Sequence, residues 1–198
     1  GQKVLTLWMH GTDIMPLRFA AFRPISIFLL AFALLPPSAI AGDLLYVTNS
    51  DAEMVSVIDG ERGVVIREIK VGAEPCDIAI DPKGELIAVS HEERRGEVSF
   101  LNRKDLSIQS RVLLVEAEDG RASCFNLAFS SESKKLYAAN RYSGFLYVVD
   151  VQKARVVKEI SLPHGRDFRL EGAALSPDGT LLYLPNGVGK EILVVDAK

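Results

Sequence analysis

The chain has 198 residues, of which 48% are hydrophobic and 25% charged, with a formal net charge of −3. This is the composition of an ordinary globular protein, at a length that allows one or two domains. The first 41 residues hold Lys3, Arg18 and Arg23 against Asp13, so the remainder carries 20 basic and 25 acidic residues, net −5; a general nucleic-acid binder, which needs a basic face, is thereby disfavoured.

Residues 15–41 read as a secretory signal peptide. Met15 is a candidate start, and Arg18 and Arg23 form a positive n-region. Ile25–Leu35 is an apolar run of 11 residues, Pro36–Pro37 breaks it, and Ala39–Ile40–Ala41 is a small-x-small cleavage site before Gly42. The run is shorter than the ~20 residues that span a bilayer. An uncleaved anchor and a buried helix are the competing readings. Residues 1–14 read as an upstream extension outside the mature protein, with Met9 as an alternative start. The expected location is periplasmic or extracellular at the cell surface, with no stable membrane insertion after cleavage.

From residue 42 onward the chain repeats. LYVTN (45–49), LIAVS (86–90), LYAAN (136–140) and LYLPN (182–186) recur at offsets of 41, 50 and 46. Each leads through a polar turn to a second run, ending at Asp59, Asn102, Asp150 and Asp196, at offsets of 43, 48 and 46. A period of ~40–50 residues belongs to propeller blades or helical arrays. The runs are short, alternating and rich in Val, Ile and Tyr, which selects strands. A third, more polar run follows in three repeats (64–71, 106–115, 155–162). Then comes a small-residue run (77–80, 125–129, 172–176) and a tight turn, DPKG, SSES or SPDG. Small inner strands and polar outer strands fit four-stranded antiparallel blades around an axis. The expected fold is all-β, a partial β-propeller over 42–198, with repeats at 44–71, 77–115, 124–162 and 171–196. These supply 3, 4, 4 and 3 strands, about three and a half blades. The expectation is a propeller truncated at its C-terminus; the rival is a ring closed by two copies, against which the strand order at each junction would run third to second.

Gly72-x-x-Pro75-x-x-Ile78-Ala79-x-x-Pro82-x-Gly84-x-Leu86, with Tyr46–Asn49 spelling YVTN and Val55–Asp59 following, resembles the YVTN-type β-propeller repeat, over roughly residues 44–196. The resemblance implies a scaffold used by many proteins. It also implies that the face formed by the hairpin loops and the inter-repeat loops carries the binding site.

On that face the hairpin loops place His91, Glu92, Glu93, Arg94 and Arg95 in repeat 2, and Arg141 and Tyr142 in repeat 3. Inter-repeat loops place Glu116, Glu118, Asp119 and Arg121, then His164, Arg166, Asp167, Phe168 and Arg169. The ligand-binding candidates are His91, Arg141, Tyr142, His164, Arg166, Asp167 and Arg169. The 163–170 loop could bind an anion, with Arg making bidentate contacts to carboxylate or phosphate; a solvated loop of self-paired charges is the competing reading. Cys76 and Cys124 start the inner strands of adjacent repeats, offset by one residue. They are either a disulfide, in an oxidising compartment, or two small buried thiols. Asn49, Asn140 and Asn186, with Ser90, and the recurrent Asp59, Asn102, Asp150 and Asp196, read as turn caps. No phosphate loop, zincin or Gly-x-Ser-x-Gly element is present, no metal-ligand spacing is recognisable, and the sequence names no cofactor.

The expected function is therefore that of an exported scaffold that binds a small molecule or a protein partner through its loop face, without catalysis. One alternative is a propeller domain or subunit of a periplasmic quinone- or haem-associated oxidoreductase, in which His91 or His164 touches the cofactor. The other is a surface-layer or adhesive repeat protein.

Overall fold

The computed structural model describes residues 43–92, 95–116, 124–163 and 169–198. The extension at 1–14, the signal segment at 15–41 and loop residues such as Glu93, Arg94, Glu118, Asp119 and Arg121 lie outside the described residues. Among the described residues the secondary structure is all-β, fourteen strands in four antiparallel sheets. The first sheet holds β1 (Leu44–Asn49), β2 (Met54–Asp59) and β3 (Val64–Lys70). The second holds β4 (Pro75–Ile80), β5 (Leu86–His91), β6 (Arg95–Asn102) and β7 (Ile108–Glu116). The third holds β8 (Phe125–Phe129), β9 (Lys135–Asn140), β10 (Phe145–Asp150) and β11 (Arg155–Ser161). The fourth holds β12 (Ala174–Leu175), β13 (Leu181–Asn186) and β14 (Glu191–Asp196). Each sheet is a meander in chain order, and together they form a partial β-propeller.

The alternation of side chains explains why the sheets stack. In β9, Leu136 and Ala138 point to the second sheet while Tyr137 and Ala139 point to the fourth. The two middle sheets are covered on both faces, so β5 and β9 are buried almost throughout. Three apolar cores fill the three junctions. Tyr46, Val55 and Val57 meet Ile87 and Val89 between the first two sheets. Val98, Phe100 and Leu114 meet Phe125, Leu136 and Tyr147 between the second and third. Tyr137, Leu146 and Val148 meet Leu182 and Leu184 between the third and fourth. The Phe125 and Tyr147 rings meet edge to face, centroids 5.9 Å apart. Gly96 leaves room for Phe125: a Cβ there would come within 2.5 Å of that ring. Outer strands β3 and β11 face solvent and are exposed along most of their length.

Short polar side chains hold the turns. Asp81 accepts from the amides of Glu85 and Leu86, both at 2.7 Å. Ser130 and Ser176 do the same for Lys134–Lys135 and Thr180–Leu181. Asp59, Asn102, Asp150 and Asp196 each accept from an amide two or three residues on. Asn49, Asn140 and Asn186 cap the hairpin loops in the same way.

The structure corrects the register of the second repeat. The first hairpin strands end at Asn49, His91, Asn140 and Asn186. His91, not Ser90, thus stands where the other repeats have Asn. Matching the apolar run LIAVS to LYVTN slips that repeat by one residue. Counting from the turn residues Asp81, Ser130 and Ser176 removes the slip, because the strand begins five residues later in every case, at Leu86, Lys135 and Leu181.

Candidate functional site

Antiparallel meanders place the hairpin loops and the inter-sheet connections at one end of the molecule. Four candidates from the sequence can be located there, and His91 departs from expectation. It closes β5 rather than sitting in the loop, and it is buried. Its Nδ1 lies 3.0 Å from the Ala73 carbonyl and its Nε2 lies 2.7 Å from Ser99 Oγ. The strand period turns the ring into the junction between the first two sheets, away from the loop face. It is a core histidine. His164, Arg166, Asp167 and Phe168 lie outside the described residues.

Arg141 and Tyr142 occupy the tip of the β9–β10 hairpin. The Arg141 amide donates to the Cys124 carbonyl at 3.0 Å, and the Leu170 amide donates to the Arg141 carbonyl at 3.1 Å. The tip is therefore pinned between the start of the third sheet and the approach to the fourth. Arg169 is set by the same approach: its amide donates to Asn186 Oδ1, and its carbonyl accepts from the Gly187 amide at 2.9 Å. Leu170 pairs with Asn186 as a single antiparallel bridge, and its carbonyl accepts from Asn126 Nδ2 at 3.1 Å.

These backbone ties bring two guanidinium groups onto one carboxylate. Arg141 Nη2 lies 3.0 Å from Glu171 Oε2, and Arg169 Nε lies 2.9 Å from Glu171 Oε1. The Arg141 side chain is only 13% exposed, that of Arg169 is 50% exposed. Burial makes the inner pair stronger than the outer one, which water screens. The Arg141 guanidinium also lies 5.6 Å from the centroid of the exposed Tyr142 ring, within cation–π range. The cluster Arg141–Tyr142–Arg169–Glu171 carries one net positive charge and an aromatic face.

Beside it runs a groove of about 470 Å³ along the inner strands. Ala79, Ala128, Ala173 and Ala174 keep it wide, and Asp77, Asn126 and Glu171 give it polar lining. Asp77 Oδ2 accepts from the Leu127 amide at 2.8 Å, so its carboxylate ties the second sheet to the third. Cys76 and Cys124 line the same groove and are joined in a disulfide, with Cα atoms 5.9 Å apart. β4 carries a register irregularity against β5 between Pro75 and Ile78, the stretch that holds Cys76. Among the described residues no group of three or more His, Cys, Asp or Glu is placed to hold a metal.

Glu171 and Asn126 carry no signal of a site in the sequence, and Asn186 reads there only as a turn cap. Glu171 is the sole acidic residue between Arg169 and the small-residue run Gly172–Leu175, which is the one local signal it gives. Its pairing with Arg141 spans 30 residues and two sheets and has no signature in spacing.

No protein-family model matches the chain, and no curated protein matches it. Among solved structures, 1038 chains match, which marks a widely used scaffold rather than an activity. One of them is hydrazine synthase from Kuenenia stuttgartiensis, with a TM-score of 0.64 and 18% identity, covering 77% of this chain and 42% of that one. This chain thus spans less than half the length of that structure. At such identity the likeness defines the class alone: a β-propeller-type protein of stacked antiparallel sheets.

Proposed function

We propose that this protein is an exported β-propeller of the YVTN-repeat type that binds a small molecule or a protein partner through its loop face, without catalysis. The carrying observation is the convergence of Arg141 and Arg169 on Glu171 from two different loops, with the Tyr142 ring against the Arg141 guanidinium. Arg169 is half-exposed and meets Glu171 through Nε, and a guanidinium carries further donors suited to a carboxylate or phosphate. Arg141 is held from below and supplies the fixed charge. Tyr142 offers a ring on which a planar group can stack. Export is supported by the apolar run Ile25–Leu35 before Ala39–Ile40–Ala41.

The test is calorimetric titration with inorganic phosphate, citrate and an acidic peptide at low and high salt. Binding of one of them is expected, with affinity falling as salt rises. Arg169→Ala should weaken it about tenfold or more, the loss of one charge-assisted contact. If Arg141→Ala and Arg169→Ala both bind as the parent does, the site is elsewhere.

A second function is favoured by one observation. One of the matching solved structures is by name a synthase, and the region alike to this chain is under half of it. On that footing the chain is a propeller domain or subunit of an oxidoreductase, and purified protein should absorb in the visible. Colourless, fully folded protein from its native source would reject it.

A further inference from the structure

Glu171 stands where the acid group of a ligand would stand. Its two carboxylate oxygens are divided between two guanidinium groups, Oε2 at 3.0 Å from Arg141 Nη2 and Oε1 at 2.9 Å from Arg169 Nε. Arginines hold a carboxylate or phosphate brought in from outside in the same manner. The backbone at Glu171 is fixed, because its amide donates to the Pro185 carbonyl at 3.0 Å and the preceding amide donates to the Arg141 carbonyl at 3.1 Å. The side chain is free of that constraint. It is 39% exposed, so a displaced carboxylate passes into water without the cost of burying a charge, whereas the Arg141 side chain, 13% exposed, is held in place. Gly187 shapes the present position of the carboxylate. Its amide donates to the Arg169 carbonyl at 2.9 Å, and a Cβ there would come within 2.9 Å of Glu171 Oε1 and 3.0 Å of Glu171 Cγ. The Glu171 side chain thus lies across bare backbone, and a methyl group at Gly187 would push it off the guanidinium groups.

We infer that Glu171 is a built-in counter-anion of the two arginines, which the ligand displaces, and that the ligand is a phosphate monoester. The inference rests on the loop-face reading and names the ligand class for it. A tethered carboxylate competes at an effective concentration on the order of millimolar or above. It therefore lowers the affinity of every anion by the same factor and admits those whose own contacts exceed that cost. A simple carboxylate replaces Glu171 like for like and gains nothing. A phosphate monoester brings a charge of about −1.5 to −2 at pH 7 and three acceptor oxygens, enough to engage both guanidinium groups. With Glu171 displaced, two positive charges face the ester instead of a net one.

The experiment is calorimetric titration of the parent, Glu171→Gln and Gly187→Ala with phenyl phosphate, a phosphotyrosine peptide and benzoate, each variant retaining the strand circular dichroism of the parent. The parent is expected to bind phenyl phosphate more tightly than benzoate. Glu171→Gln removes the competing charge and should tighten phenyl phosphate about tenfold, bringing benzoate into the measurable range. Gly187→Ala keeps every charge and acts by shape alone, and it should tighten the same ligand. The double variant should gain little beyond Glu171→Gln, because both changes remove one contact. Tighter binding of the peptide than of phenyl phosphate assigns the ester to a protein partner and equal binding assigns it to a small molecule, both in agreement with the inference. If Glu171 instead braces the arginines, both single variants bind phenyl phosphate more weakly than the parent. That result, or unchanged affinity in both, overturns the inference, as does a parent that binds benzoate as well as phenyl phosphate. Where the parent still binds and Arg169→Ala weakens it, the loop-face reading survives that failure. Absence of binding in the parent and in both variants overturns the two together.

Discussion

His91 shows at the scale of one residue how a polar side chain in a binding-loop pattern becomes structural. Both ring nitrogens have neighbours, Ala73 O and Ser99 Oγ, inside a sheet junction. His91→Ala removes those partners and opens a cavity, and should cost about 1–3 kcal/mol of unfolding free energy while leaving ligand affinity unchanged. Chemical denaturation beside titration separates the two effects. The Cys76–Cys124 bond acts through the unfolded chain: it closes a loop with a sequence separation of 48. Reduction, or Cys124→Ser, should lower stability by roughly 4 kcal/mol on the loop-entropy scale. An unchanged denaturation midpoint in reductant would show that the bond contributes nothing.

The hairpin and its turn form the element that recurs. One residue at the head of each inner turn, Asp81, Ser130 or Ser176, accepts the amides that open the next strand. The buried Asp81 can therefore be exchanged for the residue other repeats use. Asp81→Ser should cost less than about 1 kcal/mol, whereas Asp81→Ala leaves buried amides without an acceptor and should cost about 1–3 kcal/mol. Equal losses for the two would refute the cap. The β6 strand has its own constraint at Gly96, since a methyl group there meets the Phe125 ring of the neighbouring sheet. Gly96→Ala is expected to destabilise by about 1–3 kcal/mol through overpacking.

For the whole molecule, stability rests on the three junctions, and pH can probe two of them. Burial between the second and third sheets, helped by the Glu159 charge, pushes the Tyr147 phenol up to about 12. Burial, and then the Asp196 charge, also raises Tyr137 at the next junction. The fold therefore favours the neutral phenols. Their contribution is complete below the unfolded value near 10 and is lost as pH rises from about 10 toward 12. Unfolding free energy should fall across that window, by on the order of 2 kcal/mol for Tyr147. Tyr147→Phe should flatten the fall, and an identical slope in that variant would rule out Tyr147 as its source.

By itself the sequence determined the all-β class, the four-fold repetition of hairpins and the location of their turns. Those features are local: alternation of period two and short polar caps operate within a few residues, as Leu136–Asn140 and Asp81 illustrate. It could not set the one-residue register of the second repeat, because LIAVS and LYVTN are alike in hydrophobicity whichever way they are slid. Only the turn cap and the opposing sheet break that tie, and they send His91 inward. Whether Cys76 and Cys124 pair was open for the same reason, as it depends on how closely β4 and the start of β8 converge. The cluster of Arg141 and Arg169 on Glu171 was also a decision of the tertiary structure alone. Its members belong to a hairpin tip and an inter-sheet connection, and only the stacking of the third sheet on the fourth brings those charges within 3.0 Å.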